Sequence, residues 1–177
     1  MKNFKFLLLL WALSLILFGG IACKKDNAEK LPPATQKGAN TFGFLLNGKV
    51  WLPKTPFLKS SEKLHISYYP NNNGGTLSIS AKRYFDNGGF QSISISSSNI
   101  TSVGVYPIAI DKAVIYYYDT NSCEYHWNDN SKMQGTLTIT KLDLTNYIIS
   151  GTFVFKLEKE GCPTINATQG RFDMKIE

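Results

Sequence analysis

From Thr41 onward, apolar and polar residues alternate with a period of two, and turn residues cut that alternation into short runs. This pattern limits the fold more than any other feature. Side chains at every second position share one face of a strand, so each run buries one face and wets the other. In "LHISYY", Leu64, Ile66 and Tyr68 oppose His65, Ser67 and Tyr69. "TLSISAKRYF" sets Leu77, Ile79 and Ala81 against Ser78, Ser80 and Lys82, and "FQSISISS" sets Ile93 and Ile95 against Ser92, Ser94 and Ser96. Two neighbouring runs with serine on one face predict a sheet with one wet side.

The punctuation agrees with strands. Asn47-Gly48 separates two apolar runs in "TFGFLLNGKVWLP", a hairpin signal because both residues tolerate positive φ. Asp86-Asn87-Gly88-Gly89 makes a second turn. "GVYPIAI", "AVIYYYD", "CEYHW", "GTLTITKLD", "YIISGTFVFKLE" and "GRFDMKIE" follow, and the last predicts Phe172, Met174 and Ile176 on the buried side. Gly151 falls mid-strand, where glycine marks a bulge or a close backbone approach. No helical period is visible after Thr41. About ten short strands predict one all-β domain over 41–177, an antiparallel two-sheet sandwich or a flattened barrel.

The first 40 residues differ. Lys2 and Lys5 precede an uncharged apolar run from Phe6, which ends at the small residues Gly19, Gly20 and Ala22. This is the layout of a secretory signal over 1–22. The run is also close to the length of a membrane-spanning helix, which is the competing reading. Ile21-Ala22-Cys23 resembles a bacterial lipobox, with cleavage before Cys23 and acylation of its thiol, although Gly20 replaces the usual bulky aliphatic residue. Several acyl chains on Cys23 would hold the protein stably to a membrane where one would not. "KKDNAEKLPPATQKGAN" is polar with paired prolines, so 23–40 is expected to be a flexible tether.

Removing the first 22 of 177 residues leaves 155, the size of one domain. Two of the formal +6 charges lie in the leader, and the remaining excess is scattered, with Lys24-Lys25 and Lys82-Arg83 the only adjacent basic pairs after it. Nucleic-acid binding needs a basic stripe, so no nucleic-acid partner is expected. With Cys23 acylated, Cys123 and Cys162 are an even remainder in an exported chain, which favours a disulfide over two buried thiols. The loop closed would be about 40 residues, equivalent to about 4 kcal/mol in the chain-entropy model.

Signatures of catalysis are missing: no nucleophile elbow, His-Glu-x-x-His, phosphate loop or paired-cysteine zinc spacing occurs. No cofactor and no metal site is predicted, and Glu124 with His126 supplies only two ligands in one stretch. Asp111, Asp119, Glu124 and Asp129 form an acid-rich segment, and two acids across a cleft would suit a glycan hydrolase. Tyr116, Tyr117, Tyr118, Tyr125 and Trp127 are a candidate binding patch, because outward rings make a platform for sugars or a protein partner. The competing reading puts these rings in the core. Arg171 and Asp173 flank Phe172 and read as a surface charge pair.

"LPPATQKGANTFGFLLNGKVW", "GVYPI", "TLTITKLD", "ISGTFVF" and "GRFDMKI", in this order, resemble a group of small lipoproteins of uncharacterised function from Bacteroidota. The resemblance spans nearly the whole chain after the leader. It implies Sec export, a lipid anchor and a β-sandwich-like domain, and brings no catalytic residues with it. In that phylum, charges after the lipidated cysteine can route a lipoprotein to the surface, and Lys24-Lys25-Asp26 is a partial version. The expectation is an outer-membrane protein of the cell envelope, facing the periplasm or the surface, held to the membrane through Cys23. Its expected role is a non-catalytic binding or structural module with a glycan or envelope-protein partner. The alternative is a glycan-active hydrolase using 111–129.

Overall fold

The computed structural model describes residues 29–55 and 63–176. The predicted leader, Cys23 and the first part of the predicted tether lie outside the described residues. Eleven strands follow: β1 (Thr41–Leu46), β2 (Lys49–Trp51), β3 (Leu64–Tyr69), β4 (Thr76–Tyr84), β5 (Phe90–Ser97), β6 (Gly104–Ile108), β7 (Ala113–Asp119), β8 (Glu124–Tyr125), β9 (Lys132–Asp143), β10 (Ile148–Glu158) and β11 (Ile165–Lys175). There is no helix among the described residues, and the chain is all-β.

The strands form one hydrogen-bonded sheet in the order β2-β1-β11-β10-β9-β6-β7-β5-β4-β3, with β8 added to β7. A division into two separate sheets is therefore not what the backbone adopts. The sheet curls instead. Lys54, just after β2 at one end of the order, bridges Arg83 of β4 near the other. Trp51 Nε1 also donates to Gln91 Oε1 at 2.8 Å, and Gln91 Nε2 donates to Asp119 Oδ2 at 2.7 Å. These bonds tie β2 to β5 and β7, which are far from it in the sheet order. The strand pairings are antiparallel except the single β6–β7 contact, where Ile108 meets Ala113 in parallel, and the Lys54–Arg83 bridge is parallel as well.

One core fills the curl. Ile66, Ile79, Ile93, Ile95 and Ile115 are buried on one face of β3, β4, β5 and β7. Facing residues on the other side are rings: Phe44 lies 4.9 Å from Trp51, and Phe42 stacks at 5.3 Å on Phe153. Burying an aliphatic or aromatic side chain contributes about 1.5–3 kcal/mol, so this cluster supplies the main drive to fold. Asn47 and Gly48 turn the first hairpin with φ of 47° and 81°. At Gly151 the β9–β10 register shifts. A Cβ there would lie 2.2 Å from the Thr138 carbonyl oxygen, so the backbone approach excludes any side chain.

The described part of the predicted tether is a strap on the sheet and not a free coil. The Asp173 carboxylate accepts hydrogen bonds from the backbone N–H of Lys37 (3.1 Å), Gly38 (2.7 Å) and Ala39 (3.3 Å), and from the hydroxyls of Thr35 and Ser150. Asn40 Oδ1 accepts from the Lys175 N–H at 2.8 Å, and Glu29 pairs with Arg83 at 2.9 Å. Arg171 and Asp173 are thus no surface pair. Asp173 is 1% exposed, while Arg171 donates to the backbone carbonyls of Gln169 and Pro32. Burial alone would raise the Asp173 carboxyl, but these donors outweigh it and hold it down at about 2.

Candidate functional site

Strand alternation builds the site on the outer face of β3, β4, β5 and β7. Ser78 and Ser80 of β4 pair across the sheet with Ser96 and Ser94 of β5, and the Ser80 and Ser94 hydroxyls are 2.9 Å apart. On the next strand, Ser96, Ser94 and Ser92 meet Val114, Tyr116 and Tyr118. The result is a floor of short hydroxyl side chains with rings along one side. Small residues let the rings stand above the floor, and their hydroxyls offer both donors and acceptors.

The five rings of the predicted patch divide between the faces. Tyr117 and Tyr125 are each 1% exposed, with centroids 6.0 Å apart, and belong to the core. Burial is the main reason the Tyr117 phenol is pushed far up, with the nearby Asp119 adding to it. Tyr125 donates its hydroxyl to the Pro163 carbonyl beside the disulfide loop. These two are corrections to the patch: alternation along β7 and the β7–β8 pairing turn them inward. Tyr116, Tyr118 and Trp127 face out. Tyr118 lies 5.4 Å from Phe90, which is 5.7 Å from Tyr84, with Lys82 Nζ 5.9 Å from the Phe90 centroid. Tyr116 meets His126 at 5.6 Å, and His126 meets Trp127 at 5.4 Å.

Trp127 is 48% exposed. It forms one wall of an open cleft of about 360 Å³ with Val114, Ser96, Asn73, Asp111 and Lys112. One large exposed ring thus faces hydroxyl, carboxamide, carboxylate and ammonium groups. Such a mix suits a ligand with an apolar face and several hydroxyls. Asn73, Lys112 and the role of Asp111 at this rim escaped the sequence reading. The signal lay in strand order: the β3–β4 and β6–β7 turns come to the same end of the sheet as the start of β7.

The other acids of the segment have structural duties. Asp119 accepts from Gln91 and from the Asn121 N–H at 2.9 Å. Asp129 pairs with Lys159 at 2.7 Å and accepts from the N–H groups of Ser131 and His126. Burial pushes the Asp129 carboxyl up, yet those bonds prevail and bring it to about 2. Glu124 is exposed and borders Tyr116, whose phenol is raised by burial and by that carboxylate. His126 Nδ1 accepts from the Asn128 N–H at 3.3 Å, between the two rings it touches. Among the described residues, no three His, Cys, Asp or Glu side chains gather as metal ligands. Cys123 and Cys162 are joined in a disulfide with Cα atoms 6.0 Å apart, which fastens the start of β8 to the β10–β11 loop.

Residues 66–174, from β3 to β11, match a protein family described as a domain of unknown function, DUF6252. No curated protein and no solved structure matches the chain.

Proposed function

The chain belongs to the DUF6252 family, and we propose that it is an exported, lipid-anchored protein of the cell envelope that acts as a non-catalytic binding module. The cleft beside Trp127 is its ligand site, and a glycan is the ligand class that the mixture of ring and hydroxyls fits best. One observation carries this reading: Trp127 is half-exposed beside a polar cleft, while the neighbouring Tyr117 and Tyr125 are buried. A solvent-facing indole fits a stacking role, and the inward tyrosines already supply the core. Anchoring rests on the sequence of the leader and on Cys23.

A glycan hydrolase would need two carboxylates flanking the scissile bond, one of them protonated at working pH. Of the four acids in 111–129, only Asp111 lines the cleft. Asp129 is held ionised by its partners. Both facts favour binding over hydrolysis. The test is a glycan array probed with wild type and with Trp127→Ala. Binding of wild type that falls at least about tenfold in the variant, with an unchanged melting temperature, supports the reading. Equal binding by both proteins contradicts it. Release of reducing ends from a bound glycan would favour the hydrolase.

A further inference from the structure

The strap brings the described chain to one end of the curled sheet and stops there. Glu29 is fixed to Arg83 Nη2 at 2.9 Å, and Arg83 Nη1 also donates to the Leu52 carbonyl at 3.0 Å. Six residue steps separate Cys23 from Glu29. Fully extended they reach about 21 Å. If Cys23 carries acyl chains, the end of the domain that holds Glu29 is kept within that distance of the lipid headgroups.

That end is basic. Lys30, Lys54, Lys63 and Lys82 are exposed around Arg83. Lys54 bridges to Arg83, the Lys63 carbonyl accepts from the Lys82 N–H, and Lys30 shares a surface hollow with Lys63, so all lie at one edge. Among the described residues, the carboxylates that stand against these five cations are Glu29, bound to Arg83, Asp86, bound to Lys54 at 3.0 Å, and Asp119, two strands across from Arg83 and bound to Gln91. The Trp127 cleft is at the opposite end of the same strands. Thr76 lines it, and along β4 from Thr76 to Arg83 is about 23 Å.

We infer that the surface formed by Lys30, Lys54, Lys63, Lys82 and Arg83 docks on anionic lipid headgroups, so that the anchored domain points its Trp127 cleft away from the membrane. This inference rests on the acylation of Cys23 proposed above. The short reach from the anchor keeps the basic end near the bilayer, and juxtamembrane cations are drawn to an anionic surface within a Debye length. The strap makes the orientation stable, because Asp173 fixes the chain that leads to Glu29.

The native protein, purified from membranes with its anchor, tests this in vesicles of zwitterionic lipid with and without about one-third phosphatidylglycerol. Pulsed lysine acetylation read by mass spectrometry should label Lys30, Lys54, Lys63 and Lys82 at least about threefold less on the anionic vesicles, while Lys112 at the cleft is unchanged. High salt should abolish the protection. In the Lys63→Glu/Lys82→Glu variant, Lys30 and Lys54 should lose it too. Equal labelling on both vesicles, protection of Lys112 instead, or protection that survives the charge reversal would overturn the inference. The intact mass of the same sample separates the two claims. Acylated protein with unprotected lysines overturns the docking alone, whereas an unacylated Cys23 overturns the anchor and the docking together.

Discussion

Two polar clusters lie on the outer face of one sheet and meet opposite fates. Around Asp173, the chain's own strap covers the face, and the carboxylate, Thr35, Ser150 and three backbone N–H groups satisfy one another out of water. On β4, β5 and β7, Ser92 is buried, but Ser78, Ser80, Ser94, Ser96, Tyr116 and Tyr118 stay partly exposed, and Trp127 stands half-exposed beside Ser96. The difference shows that strand alternation decides which side of the sheet a residue faces, not whether that side meets water. A covering segment turns polar surface into a buried, fully bonded lock. A face left open leaves its hydroxyls and rings in contact with water.

Substitutions on each side of that contrast should separate sharply. The largest effect is expected where a ring is inward: Tyr117→Ala should cost about 3–5 kcal/mol in chemical denaturation, since it empties a core position. Asp173→Ala should cost about 3 kcal/mol, because it strips several donors of a charged acceptor at once. A loss below about 1 kcal/mol would mean that the strap does not lock the sheet.

The Asp173 lock should also depend on pH, with a defined sign. Its carboxyl lies at about 2 in the fold against 3.8 when free. A depressed value stabilises above the unfolded pKa and is lost as pH falls through the folded one. Stability attributable to Asp173, about 2 kcal/mol, should be complete above about pH 4 and decline toward pH 2. Comparing wild type with Asp173→Asn in urea across that range measures it: the gap should narrow as pH drops. The smallest effects belong to the open face. Trp127→Ala and Ser94→Ala should each change stability by less than about 0.5 kcal/mol. A larger loss at Trp127 would make it part of the core.

Much of this was legible in the sequence, and the residues explain where legibility stopped. Alternation placed Ile66, Ile79, Ile93 and Phe172 inward, because the period of two acts within each strand. The Asn47-Gly48 turn and the bulge at Gly151 were readable for the same local reason. Asp173 was misread as a surface charge, because its partners at 35–39 lie more than 130 positions away. Tyr117 and Tyr125 could not be separated from Tyr116, Tyr118 and Trp127 without the pairing of β7 with β8. The curl that brings Lys54 to Arg83 joins strands far apart in the sheet order, a contact that no period encodes.

Hydrogen exchange at neutral pH tests the contrast between covered and open faces most directly. The strap amides of Lys37, Gly38 and Ala39 point at a buried carboxylate, whereas the segment around Trp127 and Asn128 is exposed. Exchange should be slow at 37–39, approaching that of the β10–β11 core, and fast at 127–128, and the strap's protection should be lost in Asp173→Asn. Exchange at 37–39 as fast as at 127–128 in the wild-type protein would contradict it.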